Sequence, residues 1–311
     1  MSNYAHDAQA GVLTDPSTFA EFLTFVAAEA PPDDAIGSVV GAVVGIEKSI
    51  RQKDPEAQLT ITMAVSANGW QRLLPDAAVP RGFVSFTALA DGDRVFPSTP
   101  GDLFFMIKSE RMDLNFQAAK YIAAEIGSIG ELIEDIQGFK YLDNRDMIDF
   151  VDGTENPIDE ARALAVLVGD EQPGYSGGSY LTVQRYVDRQ DAWDARSTEE
   201  QEQVVGRTKM DNVELDDDVK PPWAHNAKSK VEEDGEEILM FRQNRPYGNA
   251  MEHGTMFVGF AGRPEVVDTA LRQMIIADEN GDYDHLLDFV DARTGTNYFV
   301  PSRSFLARFG E

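Results

Sequence analysis

Apolar residues recur along the chain with two spacings. In "AIGSVVGAVVGIEKSIRQ" the residues Ile36, Val39, Val40, Val43, Val44 and Ile50 fall three and four apart, which is one face of a helix. Asp33 or Asp34 just ahead of it is placed to cap its first turn. "AQLTITMAVS" alternates instead, as a half-buried strand does. "PSTFAEFLTFVA" reads as a strand, and "GDLFFMIKSERMDLNFQAAKYIAAEIG" as a strand passing into an amphipathic helix. The second half repeats this grammar. "GSYLTVQRYVD" is a predicted strand, and Ser197 with Glu200 forms a capping box that opens a helix through "TEEQEQVVGR". Strands follow at "EEILMFRQN" and "GTMFVGFAG", then a helix at "RPEVVDTALRQMIIAD". Gly101 and Gly254 each lead an aromatic strand followed by a helix, which points weakly to an internal duplication. The order predicts two α+β units, each a mostly antiparallel sheet with helices on one face. The boundary is expected near 138–146, giving units at 1–142 and 143–311. The acidic stretch 211–236, with Pro221 and Pro222, reads as a long connection.

Composition narrows what these units do. A chain of 311 residues, 42% of them hydrophobic, can build a packed core. No apolar run approaches the roughly 18 residues of a membrane span. "MSNYAHDAQAGVLTDP" lacks the basic start and apolar core of a signal peptide. A cytoplasmic protein without a membrane partner is expected. Cys is absent, which excludes disulfides, thiol nucleophiles, thiolate zinc sites and cysteine-bound iron–sulfur clusters. The four histidines are His6, His225, His253 and His285, and none is spaced as a helical zinc motif. The net charge of −27 leaves no basic footprint for nucleic acid. Acidic runs such as "ELDDDV" and "VEEDGEE" are ordinarily solvated surface. Together with Arg outnumbering Lys, 18 to 9, they suggest adaptation to a saline environment.

Four places are candidates for chemistry. In "MIDFVDGTENP" an apolar, strand-like run ends at Asp152 and enters a tight turn that carries a second acid, Glu155. Asp-Gly is a common turn former, and an acid delivered from an apolar run also suits acid–base work. Both readings stand on residues alone. A calcium loop does not: it needs Gly at position six and Glu at twelve, where Pro157 and Ala163 stand. The run from Asp278 fails too, with Tyr283 and Phe289 there. His225, in "KPPWAHNAKSK", is either a ligand for a redox metal or a structural histidine. His6 falls in a terminal segment expected to fray. Arg242, in "EILMFRQNRPYG", interrupts an apolar strand, so its partly buried guanidinium needs acceptors. Asp152 and a bound anion are the candidates, with a purely structural Asp152–Arg242 pair as the alternative. Asn244 shares its face by alternation. Arg207, in "QVVGRTK", is placed to meet a ligand carboxylate or to form a surface salt bridge.

Taken together, "DFVDGTENP", "GGSYLTVQRY", "VVGRTK", the His of "AHNAKSK", "FRQNRPYG", "HGTMFVGFA" and "DHLLDFVDARTGTNYFVPS" resemble one family. It is the dye-decolorising peroxidases, bacterial B-type. The N-terminal half matches more loosely, through "QAGVL" and "NGWQRLL". The resemblance implies two ferredoxin-like units, each an antiparallel sheet with helices, of the dimeric α+β barrel type. Haem b would lie in the C-terminal unit, and the chain would assemble as a homo-oligomer, a dimer or tetramer. It implies reduction of hydrogen peroxide with oxidation of dyes, phenols or other small donors. By motif position His225 is the proximal iron ligand, and Asp284 hydrogen-bonds it and favours the oxidised iron. Asp152 is the distal acid that shuttles a proton, and Arg242 and Asn244 are its distal neighbours. Arg207 approaches a haem propionate, Thr154 and Glu155 stand on the cofactor side of the signature, and Phe257 lies beside the haem. One position departs: the signature's first Gly is Asp149, which strains the backbone if that position needs positive φ. The alternatives are a haem-handling protein with incidental peroxidase activity and a cofactor-free α+β oligomer. "SFLARFGE" ends the chain with no evident extension, so no shell-targeting peptide is expected.

Overall fold

A computed structural model describes residues 3–310. Eight strands carry the architecture, in chain order with five helices. They are β1 (Phe19–Ala27), α1 (Ala35–Lys53), β2 (Thr60–Ser66), β3 (Leu103–Ser109), α2 (Met112–Ile126) and β4 (Gly130–Phe139). Then come β5 (Ser179–Asp188), α3 (Thr198–Val205), α4 (His225–Lys228), β6 (Arg245–Gly248), β7 (His253–Ala261), α5 (Glu265–Ile275) and β8 (Thr296–Val300). Around the sheet the order is β7-β6-β4-β1-β3-β2-β8-β5, and β5 pairs back onto β7, closing an antiparallel barrel. Closure removes the exposed edges that would otherwise template aggregation. The halves meet at two seams, Tyr247 opposite Gly138 and Phe299 opposite Val65. Among the described residues no helix is long and apolar enough to cross a membrane.

Alternation sorts each strand into two faces. Phe22, Phe104, Met106, Val183, Val258, Phe260 and Tyr298 form one buried cluster drawn from both halves, which fills the barrel. The opposite face of β1, β2 and β3 packs under α1 and α2, where Leu23, Phe25, Ile61, Phe105, Val39 and Ile122 form a second cluster. Ala8 and Val12 of the N-terminal segment join the barrel cluster. The buried Lys108 ammonium holds that segment through the carbonyls of Gly11 and Thr14, at 3.0 and 3.1 Å, and through Gln243. Burial pushes Lys108 well below its ordinary lysine value.

The predicted strands and helices of both halves form, with local differences. β2 is buried on both faces rather than half-buried. "MIDFV" is not a strand. Asp146 Oδ1 accepts from the amides of Ile148 and Phe150, at 3.2 and 2.8 Å, so the segment closes on itself as a loop. Its apolar residues Ile148 and Phe150 instead pack with Trp193 and Phe289. "EEILMFRQN" is split: Glu236 and Glu237 pair with Glu232 and Glu233 in a small hairpin, and only Phe241 and Arg242 pair with β7 of the barrel. On α1, Val44 is exposed, and Asp34 stands at the N-cap without a side-chain bond. The terminal segment around His6 is tied down, with the His6 carbonyl accepting from Arg303.

Candidate active site

A cavity open to solvent, about 1310 Å³ with its mouth included, lies against the outer face of β5 and β7. Its apolar wall comes from α5 through Val267, Leu271 and Met274, from Leu286 to Val290, and from Ile148 and Phe150. The polar residues that reach it include His225, Asp152, Arg242, Asn244, Arg207, Thr154 and Glu155. Chain folding therefore brings together residues that lie far apart in sequence.

His225 opens α4. Its Nδ1 lies 2.7 Å from Oδ2 of Asp284, whose side chain is fully buried. Asp284 Oδ1 accepts from the Leu286 amide at 2.9 Å, and the Asp284 amide donates to Met274 O at 2.8 Å. Both carboxylate oxygens are thus committed, and the carboxylate fixes Nδ1 as the protonated nitrogen. Nε2 has no protein partner among the described residues, the arrangement of a metal-ligating histidine.

Arg242 and Asn244 both line the cavity, as alternation predicts. The backbone of Arg242 is clamped on both sides by Asn156, which accepts from its amide at 2.9 Å and donates to its carbonyl at 2.8 Å. Asn244 Oδ1 accepts from the Val258 amide at 3.1 Å, so its amide group is directed as a donor. The intervening Gln243 is buried and donates to the carbonyls of Gly11 and Val12. The N-terminal segment thereby braces the strand from behind. Asp152 is half-buried, with its backbone held by Asn144 at 3.0 and 2.9 Å. No ion pair joins Asp152 to Arg242 among the described residues, so the purely structural pair is not formed. Both charged ends remain uncommitted.

Arg207 follows Gly206, which ends α3 at φ +88. Its guanidinium bonds Glu155 at 3.0 Å and Asn212 Oδ1 at 2.8 Å, and Asn212 in turn donates to Thr154 at 2.7 Å. Thr154, Glu155 and Arg207 thus form one rim network, in which Arg207 pairs with Glu155. Phe257 is half-buried in the cavity wall. Asp149, in the loop below, has φ +72, so the position does require the left-handed region.

Two acids of this cavity escape a reading of motifs. Burial pushes Asp188 up from 3.8 to about 7. Asp146 rises well above its usual range, first through burial, with the charges of Asp152 and Asp188 adding to it against its two amide bonds. The signal for Asp188 was present: it ends the apolar strand "YLTVQRYVD" on the same face as Tyr186.

Comparison with known proteins decides the family. The Dyp-type peroxidase N-terminal model matches residues 9–140, and the C-terminal model matches 143–305. The chain belongs to the Dyp-type peroxidase family. Membership makes it a peroxidase, an oxidoreductase. A dye-decolorizing peroxidase from Rhodococcus erythropolis is 38% identical over 298 residues, 95% of this chain and 87% of that protein. One from Mycobacterium tuberculosis is 37% identical over 281 residues, 89% and 82% of the two chains. Among solved structures, DyPB from Rhodococcus jostii RHA1 superposes with a TM-score of 0.92 at 40% identity, covering 97% of this chain and 98% of that one. A variant of that DypB, in complex with heme, gives the same TM-score and identity over 98% and 99% of the two chains.

Proposed function

We propose that the chain is a haem peroxidase in which His225 holds the iron and Asp152 and Arg242 act on hydrogen peroxide. The observation that carries this reading is His225. Its Nδ1 is locked to the buried Asp284, and its free Nε2 belongs to an apolar-walled cavity. That donor set fits a flat apolar group with an iron that needs one neutral nitrogen ligand. When bound, the haem supplies the redox-active iron at which peroxide is reduced and reductants are oxidised.

The chain's own residues supply proton and charge handling. The Asp152 carboxylate takes a proton from entering peroxide and returns it to the departing oxygen. The Arg242 guanidinium, free of protein acceptors, stabilises the negative charge developed between those two events. The Asn244 amide donates beside it. The bond from Asp284 makes His225 a stronger electron donor. Thr154, Glu155 and Arg207 hold the rim, and Arg207 would meet a propionate while sharing its bond to Glu155. Phe257, in the cavity wall, would pack against the cofactor. Hydrogen peroxide and small organic reductants are the partners.

We also infer two ferredoxin-like units, 1–142 and 143–311, with the haem in the second. Support comes from strand order: β4-β1-β3-β2 in one half and β6-β7-β5-β8 in the other are the same arrangement run in opposite senses. Every residue lining the large cavity comes from the second half.

The test is spectroscopic and kinetic. His225→Ala should lose the Soret band on purification, and Asp152→Asn and Arg242→Leu should each slow the reaction with peroxide about 100-fold or more in stopped flow. An undisturbed Soret band, or unchanged rates in both distal variants, overturns the assignment.

A further inference from the structure

Arg242 and Asn244 face the large cavity, and the residues that alternate with them face the other way. Phe241, Gln243 and Arg245 are all buried. The pairing with β7 breaks between Arg242 and Arg245, where the Asn244 side chain takes the Val258 amide in place of a backbone partner. The stretch that carries the distal groups therefore relies in part on side chains behind it.

Behind it lies the N-terminal segment, which opens with one helical turn, Ala10–Leu13. Gln9 pins that turn to β2, donating to Met63 O at 2.9 Å and accepting from the Met63 amide at 2.8 Å. Gly11 approaches β2 so closely that a Cβ there would stand 2.1 Å from Thr62 Oγ1. Lys108, on β3 and 3% exposed, joins this segment to the strand. Its ammonium lies among the carbonyls of Gly11, Thr14 and Asp15 at 3.0, 3.1 and 3.3 Å, Thr14 Oγ1 at 3.0 Å, and Gln243 Oε1. Gln243 completes the link by donating to the carbonyls of Gly11 and Val12, at 2.9 and 3.1 Å. An ammonium offers three donors and no acceptor, whereas a neutral amine would turn a lone pair toward one of these oxygens. Burial opposes the charged form, as do the guanidiniums of Arg245 and Arg162; the oxygen cage and the charge of Asp15 favour it. Without Lys108 the buried Gln243 Oε1 loses this donor, and the strand must shift to find another.

We propose that Lys108 is a positioning residue for the reaction with peroxide. Reaching from the first half to a residue 135 positions away, it fixes Gln243 and so the placement of Arg242 and Asn244 on either side. The inference rests on the proposed role of Arg242 and extends it to a side chain that does not line the cavity.

Lys108→Met keeps the length of the side chain and removes its donors. In the full-length protein as purified, it should retain the Soret band, slow the reaction with peroxide about tenfold or more per haem, and leave the later oxidation of the reductant unchanged. A merely structural loss lowers the folded fraction, which scales both steps together and alters neither rate per haem. Amide exchange read by mass spectrometry, a measure that needs no turnover, should quicken across 241–245 and 9–15 and stay unchanged in α1. Gln243→Met should repeat the pattern, and the double variant should be no slower than the slower single one, because both changes cut one link. Gly11→Ala, which presses the turn off β2 while keeping both side chains, carries the same test where Lys108→Met fails to fold. With Arg242→Leu slow in the peroxide step, an unchanged rate in Lys108→Met or additive losses in the double variant overturn the inference. With Arg242→Leu unchanged, the failure lies in the proposed role of Arg242, and unquickened exchange across 241–245 is the result that overturns the link to Lys108.

Discussion

The two halves of the barrel use one strand order and finish differently. In the first half the outer face is solid: Phe25 and Phe105 meet edge to face at 5.7 Å, and α1 and α2 seal them with Val39, Val43, Ile122 and Ile126. In the second half the corresponding layer is partly hollow. Tyr186 and Phe257 pack with Val267, Leu271 and Met274 of α5 beside the large cavity, and α4 and two loops deliver His225, Asp152 and Arg207 to its walls. The same topology therefore serves as scaffold in one half and as site in the other. The chemistry sits where packing was left incomplete and loops could supply polar groups.

The largest expected effect tests the contrast in packing. Phe105→Ala, at a fully buried position of the solid half, should cost about 3–5 kcal/mol. Leu271→Ala, on a side chain that already borders empty space, should cost about 2 kcal/mol, the low end for such truncations. Urea unfolding of the cofactor-free protein measures both, and a larger cost at Leu271 would erase the distinction.

The next effect separates the halves by pH. Glu21, buried in the solid half, rises from 4.5 to about 8, first through burial and then through the charge of Asp135. The folded state holds that proton more tightly than the unfolded chain, which releases it near ~4.3. Its contribution is therefore fully present below about pH 4 and lost as pH climbs through 8. Glu21→Gln should gain stability over wild type by a few kcal/mol at pH 9, with the gain fading towards pH 4. Asp188→Asn, in the hollow half, should show the same sign with its window closing near pH 7. Unfolding free energies at pH 5, 7 and 9 read both, and coincident or pH-independent curves would contradict the assignment.

The smallest effect concerns the loop that feeds the hollow half. Asp149→Gly removes a side chain from the left-handed region and forfeits only a 3.6 Å surface pair with Lys209. It should stabilise by about 0.5–1 kcal/mol, seen as a raised melting temperature with an unchanged peroxide rate. A loss of stability would show that Asp149 is there for its carboxylate.

Much of this was legible in residues close together. The Ser197–Glu200 capping box forms both bonds, at 3.2 and 2.9 Å, because its atoms lie within one turn. Arg242 and Asn244 share a face because a strand repeats every two residues. "MIDFV" was misread for a related reason. Its apolar content suggested a strand, but Asp146 satisfied the amides locally and the apolar side chains found Trp193, which also donates to Ile148 O at 3.1 Å. The bond from His225 to Asp284 spans 59 residues; spacing could not reveal it, and only the family resemblance pointed to it.

By itself, then, the sequence pointed to most of the elements, their faces, the family and the candidate residues for chemistry, because periodicity, capping and motif order are properties of neighbouring positions. Tertiary structure alone decided that Asp152 and Arg242 stay unpaired, that Arg207 is already bound to Glu155, and that one half is partly hollow. Each of these depends on what distant segments leave unfilled or unpaired when they meet. An unfilled space has no residue of its own in the chain.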